Sequence, residues 1–345
     1  MMRVLQVVTQ LEPAGAQKLA AWIGSAFECN NLDVSTIFIY EKSSADFFPD
    51  PEIVSEGRPG GLIGAVGMAI RLRRIIAKHA PDIILAHTHY SILLCGLVSV
   101  GTRSKVVAVH HWPINRYPFV CRLWVKARRT FATNSHSVFV AESIATSVGQ
   151  RDHVIPNPVV RANSNVISRT ISGDADILVV ARHAEEKAVD TVLRSMLYLP
   201  DRRLTLAGWG PDTAKLKSLA CDLQINDRVT FLGRVSSSEV SLLLDSCRCM
   251  VLASRWEAMP MVILEAIASE SDIVVSDIPA HIPFIMGDAA LGFTCDDPLD
   301  LARAVQEIDS AAVRDRLMRG RSEVAERQSP ERVSASWLQV LFGVG

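Results

Sequence analysis

Apolar residues follow two alternating patterns along the chain. One is a short continuous run, which reads as a strand buried on both faces. The other is a longer stretch with apolar positions every three or four residues, which reads as an amphipathic helix. In the first half, strand-like runs at 3–8, Val34–Tyr40, Asp82–Ala86, Lys105–Val109 and Ala132–Ser135 are interleaved with helical stretches Lys18–Phe27, Gly61–His79 and Arg116–Arg129, and Val138–Val140 reads as a helix start. Ser43–Pro59 is polar and carries proline, so it reads as loop. After Val154-Ile155-Pro156-Asn157-Pro158, the Ser/Asn-rich stretch Arg161–Asp174 has no apolar period and reads as a linker. Strands Ile177–Ala181, Arg203–Leu206, Val229–Phe231, Cys249–Ala253 and Ile273–Ser276 then alternate with helices, among them Glu239–Ser246 and Met261–Ser269. Such alternation builds a parallel sheet with helices on both faces, and here it occurs twice. The expected class is α/β, with two doubly wound domains at 1–165 and 166–329. Residues 330–345 supply a last helix, with Val333, Trp337, Val340 and Leu341 at helical spacing, that could pack on either.

Length agrees with two cores, since 345 residues exceed what one usually holds. No apolar run reaches the roughly 18 residues that cross a bilayer, and the N-terminus lacks a signal-peptide pattern. Seven cysteines without framework spacing suit a reducing cytoplasm, and Cys247 and Cys249 read as buried thiols. Net charge is −1, yet residues 1–165 hold 17 Lys+Arg against 11 Asp+Glu while the rest hold 19 against 26. A basic first half suggests that it meets something anionic. Arg71, Arg73, Arg74 and Lys78 on 61–79, and Arg122, Lys126, Arg128 and Arg129 on 116–129, fit either a membrane-surface contact or core-packed helices with a wet basic face.

The densest chemistry lies in Ser254–Ala266. Glu257 sits in a loop at the carboxyl end of a strand, Pro260 suits the first helical position, and Glu265 follows inside the helix. Backbone N–H groups at a helix start favour an anion, phosphate above all, so Glu257 could hold sugar hydroxyls and Glu265 a ribose. Read in isolation, both could be ordinary solvated acids. Gly15 lies in a small-residue loop, Thr9–Gln17, between a strand and a helix, where backbone can approach a ligand. It is not a three-glycine fingerprint, which argues against a nicotinamide cofactor there. His87, His89, His110 and His111 stand at strand carboxyl ends, where open α/β sheets place ligands. No carboxylate keeps metal-ligand spacing with them. Asp174-Ala175-Asp176 precedes its strand, at the wrong end for a ligand, and reads as turn.

Taken in order, these segments resemble the retaining glycosyltransferases of family 4, of the two-domain GT-B fold. The resemblance covers nearly the whole chain and rests on Gly15 in its loop, Val-Ile-Pro-Asn at 154–157, Ala-Arg-x4-Lys at 181–187, Ala-Gly-x-Gly-Pro at 207–211, Phe-Leu-Gly at 231–233 and Glu-x7-Glu at 257–265. It implies two Rossmann-like domains facing a central cleft, with the terminal helix returning to the first. It also implies that Arg182 and Lys187 clamp the donor diphosphate in place of a metal, and that the helix start formed by Met259, Pro260, Met261 and Val262 adds backbone donors, proline itself supplying none. Glu257 would hold the transferred sugar, Glu265 the ribose, and Gly15, Gly208 and Gly210 would line the donor. His110 or His111 would touch the sugar, with the fit leaning to His110. Ala258, Pro158 and Glu270 stand where the family has glycine, and Ala258 narrows the space near the donor.

The leading expectation is transfer of a hexose-type sugar from a UDP- or GDP-sugar to a glycan or lipid-linked acceptor. The setting would be cell-surface polysaccharide or glycolipid synthesis, in the cytoplasm or at the membrane's inner face. It includes contact with an anionic membrane, no nucleic acid and no metal cofactor. A nucleotide-sugar epimerase on the same scaffold and a non-catalytic nucleotide-sugar-binding subunit are the alternatives.

Overall fold

The computed structural model describes residues 1–12, 14–42, 48, 50–55, 57, 58, 60–131, 136–145, 152–161 and 176–343. The expected strand at 132–135, most of the 161–174 linker and Asp174-Ala175 lie outside these. The chain divides into two compact units: Met1–Asn157 with Pro330–Gly345, and Pro158–Ser329.

In the first unit the strands are β1 (Arg3–Leu11), β2 (Asp33–Glu41), β3 (Glu52–Ser55), β4 (Ile83–His87), β5 (Lys105–His110), β6 (His136–Phe139) and β7 (Asp152–Val154). They form one parallel sheet in the order β3-β2-β1-β4-β5-β6-β7. Helices α1 (Gly15–Glu28), α2 (Gly61–His79), α3 (Thr88–Val98) and α4 (Phe119–Phe131) fill the crossovers. Strand pleating sends alternate residues to opposite faces. Leu5, Val7, Ile37, Ile39, Ile84 and Ala86 meet Met68 and Leu72 of α2 and Ile92 and Cys95 of α3 on one side. Val8 and Phe38 meet Ala20 of α1 on the other. The stretch read as loop at 43–59 in fact carries β3, which pairs with β2 through Ile37–Glu52 and Phe38–Ile53. One buried valine, Val54, is enough to anchor so short an edge strand.

In the second unit, β8 (Ile177–Val180), β9 (Leu204–Ala207), β10 (Val229–Gly233), β11 (Cys249–Leu252), β12 (Asp272–Ser276) and β13 (Leu291–Phe293) form a parallel sheet ordered β10-β9-β8-β11-β12-β13. Its helices are α5 (Val189–Ser195), α6 (Thr213–Asp222), α7 (Ser237–Ser246), α8 (Met261–Ala268), α9 (Ile282–Met286), α10 (Pro298–Glu307) and α11 (Ala311–Arg327). Ile177, Val179 and Val251 pack against α5 and α10, and Leu178, Met250 and Leu252 against α7 and α8. Helix α7 opens with a capping box, Ser236 and Glu239 satisfying each other's backbone N–H groups. Glu270, just past the C-cap of α8, takes a left-handed conformation with φ 58°. The following N–H, of Ser271, bonds the Ala266 carbonyl.

The last helix, α12 (Pro330–Phe342), belongs to the first unit and buries Val333, Trp337 and Leu341. Asn30 Nδ2 donates to Ser334 Oγ at 3.4 Å, and Lys105 Nζ donates to the carbonyls of Val340 and Leu341. Among the described residues no helix is long and apolar enough to cross a membrane.

Candidate functional site

The order of the second sheet reverses between β8 and β11, so the crossovers leaving these two strands run to opposite sides. The carboxyl ends of such a pair border the crevice where open α/β sheets take ligands. The loop after β8 carries Arg182 and a 3-10 turn, Glu185–Lys187, closed by Ala188 at φ 46°. The loop after β11 carries Ser254–Glu257. Lys187 Nζ pairs with Glu257 Oε1, and Ser254 Oγ donates to the same oxygen at 2.8 Å. These two charged side chains are only 20% and 11% exposed, which strengthens their interaction over that of a surface pair. Two residues far apart in sequence thus meet at the switch point. Arg182 sits at the mouth of the same loop and is exposed, its guanidinium held by Glu186.

A residue with no sequence signal joins the two loops. Arg255 N–H donates to the Glu186 carbonyl at 2.8 Å, Arg255 Nη1 to the Glu185 carbonyl, Nε to Asp296 at 3.0 Å, and Nη2 to Asp190 at 3.3 Å. A lone arginine in sequence does not announce four partners from two separate segments. Beneath Glu257, Ser276 Oγ donates to the Ser254 carbonyl at 2.6 Å, and buried His281 donates from Nδ1 to the Ser276 carbonyl at 2.9 Å. Burial lowers the His281 pKa to about 4, with Glu257 pulling it up and Lys187 pushing it down.

Gly208 and Gly210 have a packing reason. A Cβ on Gly208, at φ 147°, would lie 1.8 Å from the Ala181 carbonyl oxygen, and one on Gly210 would lie 2.1 Å from that of His183. Their backbones can therefore lie against the loop that carries Arg182. Pro260 corrects the sequence reading. It is the N-cap of α8 rather than its first helical residue, because ψ is 110° and its carbonyl already accepts from Ile263 N–H. The Pro260 side chain gives no cap to that helix. Met259, Met261 and Val262 pack part of their side chains against the apolar core and remain half-buried. Glu265 lies half-buried one turn further.

The first sheet also reverses, between β1 and β4. Thr9 Oγ1 bonds Thr88 Oγ1 and, at 2.9 Å, Ser91 Oγ. Thr88 starts α3 at φ 70°, a strained conformation for a β-branched residue and one that surroundings must enforce. His87 Nδ1 lies 3.2 Å from His111 Nε2. His110 Nδ1 bonds Tyr117 Oη at 2.9 Å, and the His110 ring stacks on Phe139 with centroids 4.6 Å apart. Desolvation lowers His87 well below the usual histidine value and His111 to about 4, so both are neutral near pH 7. Gly15 corrects a second reading: it is the first residue of α1, not a loop residue. The helix starts early because buried Gln17 donates from Nε2 to the Gln10 carbonyl at 2.7 Å, tying the first turn to β1.

A cavity of about 610 Å³ lies elsewhere, lined by Asp176, Arg203, Arg248 and Asp272. These residues stand at the amino ends of the second sheet's strands, the end opposite to the Lys187–Glu257 pair. Asp176, from the sequence's Asp-x-Asp pair, accepts there from Arg203 N–H at 2.9 Å. Among the described residues, no three His, Cys, Asp or Glu side chains converge as metal ligands would.

Residues 161–324 match the model of a family described as glycosyl transferases group 1. The O-antigen chain mannosyltransferase RfbU of Salmonella typhimurium is 24% identical over 251 residues, 68% of this chain and 67% of that protein. The alpha-monoglucosyldiacylglycerol synthase of Streptococcus pneumoniae is 30% identical over 139 residues, 39% of this chain and 31% of the synthase. The chain thus spans two thirds of the first relative and under a third of the second. The crystal structure of Anabaena Alr3699/HepE in complex with UDP and glucose superposes over the full length of both chains with a TM-score of 0.81 at 15% identity, a likeness of fold.

Proposed function

We propose that this chain, whose residues 161–324 match the glycosyl transferases group 1 family, moves a hexose-type sugar, with retention, from a nucleotide-diphosphate donor to a glycan or lipid-linked acceptor. The observation that carries this reading is the Lys187–Glu257 pair, braced by Ser254, at the switch point of the family-matched unit. When a donor binds, its diphosphate competes for Lys187, and Arg182 at the loop mouth adds a second cation. Fixed cations of this kind stabilise the charge that grows on a departing pyrophosphate, without a metal. The start of α8 at Met261 and Val262 offers backbone N–H groups to the same phosphates. Glu257, released from Lys187, holds sugar hydroxyls, and Glu265 the ribose. Gly208 and Gly210 let backbone approach the donor.

A UDP-sugar donor is supported by the UDP and glucose bound to the Anabaena protein of the same fold. A polysaccharide or glycolipid product is supported by the O-antigen and diacylglycerol relatives. The test is nucleotide release from UDP-glucose, UDP-N-acetylglucosamine and GDP-mannose, with sugar products identified. Release from one donor, lost in Lys187→Ala, is the expected result. Epimer formation without release would instead make the chain an epimerase, and binding without turnover a carrier subunit.

The same reading puts the first unit at an anionic membrane surface. Helix α2 turns Ile63, Val66 and Ile70 outward beside Arg71 and Arg74, and α4 turns Phe119, Val120 and Leu123 outward beside Arg122 and Lys126. Ile63 is 89% exposed and Phe119 65%, more than core packing alone explains. Co-sedimentation with phosphatidylglycerol vesicles at low salt, weakened by added salt, is expected. Absence of binding at low salt would remove the membrane from the picture.

A further inference from the structure

Gln6 lies fully buried in the middle of β1. Its Nε2 donates to the Ala20 carbonyl at 2.8 Å and to Thr36 Oγ1 at 3.1 Å, which sets the orientation of the amide. The Gln6 Oε1 atom then faces His87 Nε2 at 3.1 Å. An amide oxygen only accepts, so His87 Nε2 carries a hydrogen. The other ring nitrogen, His87 Nδ1, lies 3.2 Å from His111 Nε2. A nitrogen-to-nitrogen hydrogen bond needs one bare partner and one protonated one. Both rings are buried, and loss of water keeps them neutral. A neutral His87 with its hydrogen on Nε2 has a bare Nδ1, so the hydrogen in the second bond belongs to His111 Nε2. The same rule applied once more leaves the lone pair of His111 on Nδ1. Among the described residues, no protein group bonds that nitrogen. The four atoms in this relay run from the middle of β1 to the last residue of β4 and the loop after β5, where the first sheet would take a ligand.

We propose that Gln6 and His87 are positioning residues that lock His111 in its Nε2–H tautomer, and that His111 Nδ1 accepts a hydrogen bond from a hydroxyl of the substrate bound to the first unit. The ligand group is a neutral O–H of a sugar or alcohol. A phosphate or carboxylate oxygen has no hydrogen to give and would meet lone pair against lone pair. Identity of the hydroxyl's owner rests on the glycosyltransferase reading, whereas the tautomer lock stands without it. The residues assigned to diphosphate chemistry, in the second unit, take no part in the relay.

The experiment is a long-range hydrogen–nitrogen correlation spectrum of the histidine rings in the full, nitrogen-15-labelled chain. His111→Asn identifies the His111 signals by their loss. In the wild type, a hydrogen on His111 Nε2 and a bare Nδ1 are expected. A hydrogen on Nδ1, or a charged ring at pH 7, overturns the lock. Gln6→Met removes the acceptor and should turn His111 into a mixture of tautomers, with circular dichroism and the melting curve reporting that the fold persists. If Gln6→Met does not fold, His87→Phe breaks the same relay one step later and carries the same expectation. Methyl α-D-glucopyranoside and methyl α-D-mannopyranoside are then titrated into the wild type. A shift of the His111 Nδ1 signal with either sugar, absent in the relay variant, supports the hydroxyl contact, and no shift with both refutes it. Failure of nucleotide release from every donor would sink the transferase reading while leaving the ring assignments as they are.

Discussion

The two sheets obey one topological rule and end in opposite chemistry. Where the second sheet reverses, Lys187, Arg182 and Arg255 meet Glu257, Glu186 and Asp190. Where the first reverses, Gln6, Thr9, Thr88 and Ser91 meet His87 and His111, two rings held neutral by burial. One end is built of full charges that a bound anion can redistribute. The other is built of dipoles and lone pairs whose directions are set in advance. The topology reverses twice, and the side chains on the loops give each reversal its own chemistry.

The contrast breaks most sharply if its charged half is altered. Lys187→Ala should lower nucleotide release about 10²–10³-fold, the usual cost of removing a preorganised electrostatic contact at a developing charge. Thr9→Ala, at the neutral end, should cost less than about tenfold in the same assay. Equal losses would erase the distinction. The neutral half is sharpened by pH. A folded-state pKa of about 4 for His111, against 6.5 when unfolded, means that the native state binds fewer protons between those values. The associated stability is fully present above pH 6.5 and is lost as pH falls toward 4, by roughly 3 kcal/mol for this one ring. Melting temperature should fall over that window, and less steeply in His111→Asn. A profile that stays flat would mean that the rings are not held neutral. The smallest effect separates strain at a site from strain elsewhere. Glu270→Gly relieves a left-handed residue at a helix end and should stabilise the chain by about 1 kcal/mol in urea unfolding, with unchanged activity. Thr88→Gly relieves a similar φ but gives up the bond to Thr9, so it should bring no gain.

Helix α2 was legible residue for residue, and α12 from its first residue, because their apolar period has no competing interruption. The parallel-sheet class followed from runs such as Ile177–Val180, which are apolar on both faces because both faces are covered. Strand β3 was hidden because four residues in a polar, proline-bearing tract carry no period. Gly15 and Pro260 were each misplaced at a helix start. There the outcome turns on a partner or a torsion, the Gln10 carbonyl for Gln17 in one case and the ψ of proline in the other, that no local pattern encodes. The meeting of Lys187 and Glu257 followed from motif order, whereas Arg255, Ser276 and Gln6 act through partners distant in sequence and left no mark on it.

One connection has a consequence for how the chain is made. The second unit is a single uninterrupted segment, and Val159 N–H meets the Gln328 carbonyl at 2.8 Å where that segment enters and leaves. The first unit needs helix α12, whose Trp337 is wholly buried. A ribosome therefore releases every residue of the second unit before it releases the piece that completes the first. Throughout that interval the half made earliest carries an unfilled apolar seat, and a chain cut short before residue 330 would keep one finished half and one that invites chaperones and proteases.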